Sequence, residues 1–235
     1  MEISKTESSL SQTVLAWHWL GVSKTLAYAP YTAVSVGQTL TATEKPLELC
    51  AYGLHASLDL WDSLMYAPGP VLCRVELSSE ILHGDDKLCA SHRRVLTMHD
   101  MTAVLQEFAC RCAEAALFAE REAGREPDAR SWEVIEVARR HSRGEADNSE
   151  MKAAASAAKS AAESAAASAA ASAAWSAYWT AAKSAAPDAA KSAAWSAADH
   201  AYWTAAKSAA GNARLSQFKA WLLEMVMVEM EAAHA

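Results

Sequence analysis

From Ser156 onward a small polar residue recurs at every fourth position: Ser156, Ser160, Ser164, Ser168, Ser172, Ser176, Thr180 and Ser184, then Ser192, Ser196, Thr204 and Ser208. The position before it varies, holding Lys159, Glu163, Trp175, Trp179, Lys183, Lys191, Trp195, Trp203 and Lys207, and the other two positions are almost always Ala. Ala has the most favourable helix propensity, so the tract is predicted helical. A four-residue period does not match the 3.6-residue turn. The stripe advances by about 40° per repeat, so one straight helix cannot keep a single face inward. The tract is therefore expected to double back as closely spaced antiparallel rods. Pro187 supplies one break, because it disfavours helix at Ala186, and Gly211-Asn212 supplies another as a C-cap and turn. The decamer AYWTAAKSAA occurs at 177–186 and again at 201–210, giving two rods equivalent aromatic anchors. Trp175, Trp179, Trp195 and Trp203 are the interface candidates.

The tract is flanked by ordinary amphipathic helices. Residues 101–123 place Val104, Leu105, Phe108, Cys112, Ala115, Ala116 and Phe118 at helical spacing, with Asp100 as N-cap and Gly124 as stop. A second stripe, Trp132, Val134, Ile135 and Ala138, ends at Gly144. The last helix carries Leu215, Phe218, Trp221, Leu222, Met225 and Val228.

Residues 13–100 read as mixed α and β. TVLAWHWL (13–20), short segments within TLAYAPYTAVSVG, YGLHAS (52–57), PVLCRVELS (70–78) and DDKLCASHRRVLTM (85–98) are strand candidates. Ser57 is the expected N-cap of a helix over LDLWDSLMYA, which Pro68-Gly69-Pro70 ends. The fold class expected is α+β: residues 1–12 a flexible N-terminus, 13–99 a small mixed α/β domain, and 100–235 an all-α Ala-rich antiparallel helical bundle.

Charge narrows the function. The net charge is -7, and no third of the chain is strongly basic; residues 151–235 carry 7 basic and 6 acidic side chains. A broad nucleic-acid-binding surface is not expected. The N-terminal MEISKTESSLSQ lacks the charged and apolar regions of a secretory signal, and Lys and Ser interrupt every long apolar run, so no membrane span is expected. Five cysteines, Cys50, Cys73, Cys89, Cys110 and Cys112, point to reduced thiols and a cytoplasmic setting. Cys110 and Cys112 would lie about 200° apart on a helix, and Cys73, His83, Cys89 and His92 lack paired spacing, so no metal is expected. Phosphate-loop, dinucleotide-glycine and hydrolase signatures are missing, and no catalytic residue or cofactor is assigned. His18, between Trp17 and Trp19, His55, Ser57, Glu76, Lys87 and Arg93 are the ligand-binding candidates. Lys87, Arg93 and Arg94 read as a solvated strand edge, with an anion patch as the alternative.

Three resemblances bear on this reading. Residues 17–96, through W-H-W-L, Y-G-L-H-A-S, Y-A-P-G and L-C-R-V-E-L, resemble an uncharacterised domain recurrent in phage proteins. Residues 108–235, through Pro127, Asp128, Arg130, Ile135, Ala138, Arg139, Gly144 and the Ala tract, resemble immunity proteins encoded beside bacterial polymorphic toxins, which implies action by binding. The order of His strand, G-L-H-A-S strand, helix and L-C-R-V-E-L strand is similar to the front of ADP-ribosyltransferases. That likeness implies His18 on the nicotinamide ribose, His55 where an aromatic stacks on nicotinamide, and Glu76 as the carboxylate. That family carries its carboxylate on a later strand, and no Glu lies between Glu80 and Glu107. The leading expectation is a non-enzymatic interaction protein of phage or mobile-element origin that binds and blocks a bacterial protein. The alternative is an ADP-ribosyltransferase-like enzyme or sensor of NAD or a nucleotide. The tail is also compatible with a homo-oligomer.

Overall fold

The computed structural model describes residues 13–27, 31–164, 173, 175 and 211–233. The front of the chain is an antiparallel five-stranded sheet: β1 (Val14–Leu20), β2 (Thr39–Thr41), β3 (Leu54–Ala56), β4 (Val71–His83) and β5 (Leu88–Asp100). The β4–β5 hairpin forms its centre. β1 pairs with the outer edge of β4, while β2 and β3 pair with successive stretches of β5. The sheet then curls on itself. Trp17 N–H donates to the Ser57 carbonyl at 2.8 Å and Ser57 N–H to the Trp17 carbonyl at 3.0 Å. This pair joins β1 to the end of β3 and removes two sheet edges.

The curl gives the sheet an inside and an outside. Ala16, Leu20, Leu54, Ala56, Val71, Cys73, Val75, Leu77, Leu88, Ala90 and Val95 form one buried cluster inside, with Val34 and Leu40 closing it. Trp17, Trp19 and Leu72 face the other way and join a second cluster with the helices. Alternation along β1 produces this split, because successive side chains point to opposite faces. β4 reaches five residues past the Ser78 expected from its alternation. Ser79 adopts φ 70° and the register slips between Ser78 and Ile81, so a bulge lets the strand continue through the polar Ser-Ser-Glu stretch.

Five helices follow the chain order of the described residues: α1 (Leu60–Met65), α2 (Thr102–Glu122), α3 (Ala129–Ser142), α4 (Asn148–Ser164) and, labelled here α5, Gly211–Ala232. α1 is capped by Asp59, whose carboxylate accepts from Trp61 N–H and Asp62 N–H. The expected cap, Ser57, is instead consumed in the β1–β3 closure. Met101 stands at the N-cap of α2, and Asp100 still accepts from Thr102 N–H at 2.9 Å. Asp128 caps α3 through Arg130 N–H. Gly124 and Gly144 end α2 and α3 with φ 78° and 74°.

The expected small mixed α/β domain followed by an all-α Ala-rich antiparallel bundle is overturned. Every strand pair is antiparallel, and the front holds one helix of six residues. The helices do not keep a core to themselves. Trp17, Trp19 and Leu72 of the sheet share one cluster with Leu60, Phe108, Val134, Met151, Phe218 and Leu222. The physical reason is the apolar outer face of β1 and β4, which needs a cover, and the helices are that cover. Residues 165–172, 174 and 176–210, with Pro187, the repeated decamer, Trp179, Trp195 and Trp203, lie outside the described residues, so the doubling-back of the tract rests on its sequence alone. Gly211-Asn212 opens α5 instead of forming the expected turn.

The start of the Ser repeat is visible in α4. Ser160 Oγ donates to the Ser156 carbonyl at 3.1 Å and Ser164 Oγ to the Ser160 carbonyl at 2.6 Å. These serines are exposed, while Met151, Ala155, Ala158, Ala161 and Ala162 are buried against the rest of the fold. The four-residue period thus lets each hydroxyl reach the carbonyl one repeat back on the solvent side.

Candidate functional site

Two places gather chemistry-bearing side chains: the inside of the curled sheet, and a groove between α2 and α5.

Inside the sheet, His18 pairs in register with Cys73, and Leu77 with Arg93. Arg93 is 2% exposed. Its Nη1 donates to the backbone carbonyl of His55 at 2.7 Å. The His18 ring also hydrogen-bonds the His55 backbone. Burial first, then the Arg93 charge, hold the half-buried His18 ring well below its ordinary pKa, so it is neutral at pH 7. Burial lowers Arg93 to about 10 and raises the Cys73 thiol to about 11. His18 and Arg93 thereby converge on one carbonyl of the short strand β3.

The His55 ring itself is used locally. Its Nε2 accepts from Cys50 N–H at 3.1 Å, and it also hydrogen-bonds the Gly53 backbone. Both interactions brace the 48–55 turn, in which Cys50 takes φ 67°. Lys87 stands nearby. Its ammonium donates to Tyr66 Oη at 2.9 Å, lies over the Tyr66 ring and also bonds the Cys50 side chain, while Tyr66 donates to Asp86 in turn. The Tyr66 hydrogen bond is the main cause that raises the Lys87 pKa.

The structure thus brings His18, His55 and Arg93 together and sets Lys87 beside His55. It does not gather Lys87, Arg93 and Arg94 into one patch, because Arg93 points inside while Arg94 is exposed. Glu76 lies between the inward Val75 and Leu77 and pairs in register with Leu15 and Arg94, so alternation turns it away from His18. Ser57 is 2% exposed and is tied to Trp17 through its backbone.

The groove was not visible in the sequence. It is open, encloses about 390 Å³, and is lined by Arg111, Glu114, Ala115, Phe118, Glu122, Arg214 and Trp221. Phe118 was expected on the buried stripe of α2, yet it is 48% exposed. Its position ten residues after Phe108 is the signal, since that step rotates about 80° off the stripe. Trp132 on α3 stacks edge-on behind it at 5.0 Å between ring centroids, and the Arg121 guanidinium lies 4.6 Å from the Trp132 ring centroid. Arg111 pairs with Glu107, and Glu114 with Arg139. Glu122 and Arg214 make no ion pair among the described residues. On α5, Phe218, Leu222 and Val226 are fully buried, whereas Leu223, Met227 and the expected core residue Val228 are exposed. α5 is therefore apolar on both faces. Of the four aromatic interface candidates only Trp175 is described; it is helical and half-buried.

Asp128 and Arg130 pair at the head of α3, Ile135 and Ala138 are buried, and Arg139 bridges to α2. Among the described residues, no helix is long and apolar enough to cross a membrane. No protein-family model, curated protein or solved structure matches the chain.

Proposed function

We propose that the chain acts by binding another protein, with the α2–α5 groove as its contact face. The observation that carries this is the aromatic floor of the groove, where Phe118 is exposed and Trp221 is half-buried. Phe118 and Trp221 line it, and an acid, Glu122, and a base, Arg214, neither ion-paired among the described residues, stand at its sides. Aromatic anchors flanked by charge are the residue types that dominate binding energy at protein interfaces. The exposed Val228, seven residues after Trp221 and so within about 20° of it around the helix, extends apolar surface along the same side of α5. The occupant is a protein segment with one aromatic or long aliphatic side chain for the floor, a Lys or Arg to meet Glu122 and an acid to meet Arg214. Resemblance to immunity proteins supports a bacterial cytoplasmic protein as the partner, blocked when bound. The same resemblances support a phage or mobile-element origin.

The test is capture from bacterial lysate with wild-type protein and with the Phe118→Asp/Trp221→Ala variant, followed by titration of the purified captured protein. The expected result is saturable binding that the variant weakens at least about tenfold while its circular dichroism stays unchanged. Equal affinity of a folded variant removes the groove as the contact face. No saturable binding by any captured protein removes the interaction reading.

A further inference from the structure

The inside of the curled sheet holds a cation that no ion pair among the described residues neutralises. Arg93 is 2% exposed and uses Nη1 on the His55 carbonyl. Its Nε–H is buried with no partner. No ion pair reaches Arg93 among the described residues. The titratable and charged groups that act on it or on its immediate neighbours are Cys73, His18, His55, Lys24 and Lys87. None of them is a carboxylate. Lys24, close enough to act on Cys73, adds a second positive charge. Burying an unpaired guanidinium is costly, and a bound anion would offset that cost.

A purely structural account uses only part of the group. A brace for the His55 carbonyl needs one donor, and a neutral side chain would supply it without an orphaned N–H. The Nε–H left over is instead a cationic donor of the kind that receives an oxyanion. We propose that the inside of the sheet binds a small oxyanion, a carboxylate or a phosphate, on the Arg93 Nε–H with the His18 ring alongside. Ala16, Leu20, Val75 and Leu77 are buried in the same interior, which limits the guest to a small ion or the head of a larger molecule. This site is independent of the α2–α5 groove.

The test uses the full chain in sodium phosphate, sodium acetate and sodium chloride at matched ionic strength. Two readouts are followed: the melting temperature, and the titration of the His18 ring by NMR. The expected result is a saturable rise of a few degrees in phosphate or acetate over chloride. With it, the His18 titration moves upward by about one pH unit, because the anion offsets the Arg93 charge beside it. The arm that responds identifies the oxyanion class. Arg93→Met abolishes both effects, and Arg93→Lys keeps a weakened response. No saturable shift over chloride in wild-type protein overturns the site, as does a full response in folded Arg93→Met. Should Arg93→Met fail to fold, the wild-type His18 titration decides alone: a ring unmoved by phosphate and acetate overturns the proposal.

Discussion

The indole Nε1–H of Trp19 on β1 donates to Ser63 Oγ on α1 at 2.8 Å, in the buried seam where the sheet meets the helices. Trp19 is 2% exposed, so no water replaces this acceptor. Ser63 Oγ in turn donates to the Leu60 carbonyl at 2.6 Å. Ser63→Ala leaves a buried indole N–H unpaired. It is expected to lower unfolding free energy by about 1–3 kcal/mol, read by urea denaturation. A change within error of zero shows that the indole finds another acceptor.

Arg139 on α3 clamps α2 through Glu107, at 3.0 Å, and Glu114 Oε2, at 2.7 Å. Its side chain is 20% exposed, and the Glu114 hydrogen bond is the first cause of its raised pKa. Arg139→Met removes one base between two acids and leaves them facing each other. The expected loss is about 2 kcal/mol, below the figure for a fully buried pair because solvent screens part of it. Adding Glu107→Gln and Glu114→Gln to Arg139→Met should recover part of the loss, and failure to recover any would mean that the ion network is not its source.

Gly53 takes φ 125° beneath β5, where an added Cβ would stand 2.2 Å from Cys89 Sγ and 2.9 Å from Leu47 Cδ2. Gly53→Ala therefore meets both a backbone and a packing penalty, and a loss above about 2 kcal/mol is expected. Gly124 has φ 78° with nothing within 4 Å, so Gly124→Ala isolates the backbone part and should cost about 1 kcal/mol. Equal losses at the two positions would refute the packing component.

His18 is held neutral by burial and by Arg93, and burial also lowers the His55 pKa. The unfolded chain takes up protons near pH 6.5 that these native rings do not. The unfolded state then binds more protons, so stability falls as pH drops below about 6.5 and is fully present above it. His18→Gln should flatten the slope of stability against pH between about 6.5 and 5. An unchanged slope would assign the pH dependence to other groups.

Cys50 is exposed, whereas Cys73, Cys89, Cys110 and Cys112 are buried. A thiol reagent on native protein is expected to consume one of the five thiols quickly and the rest only on unfolding. Burial pushes Cys110 up to about 12, which further removes it from reaction. Mass spectrometry after brief alkylation checks the position; rapid labelling at Cys110 or Cys112 would contradict the packing of α2.

Local physics made much of the chain legible before any contact was known. The β-rich apolar run over residues 13–20 and the stops at Gly124 and Gly144 correspond to β1, α2 and α3 as observed. Each depends on side-chain periodicity or on a backbone angle that glycine adopts easily, and both are local properties. The polar end of β4 was not legible, because a bulge at Ser79 has no signature in composition. Nor was the groove, whose two walls are almost a hundred residues apart in sequence.

Arg93 and Arg94 mark the division most clearly. Alternation along a strand requires that the two adjacent side chains part to opposite faces, and the sequence alone settles that much. Which of them enters the fold is a matter of register and closure. β5 is held between β4 and β2, and the curl that joins Trp17 to Ser57 turns the Arg93 side inward and leaves Arg94 in solvent. A shift of one residue would exchange them, and only long-range pairing between strands excludes it.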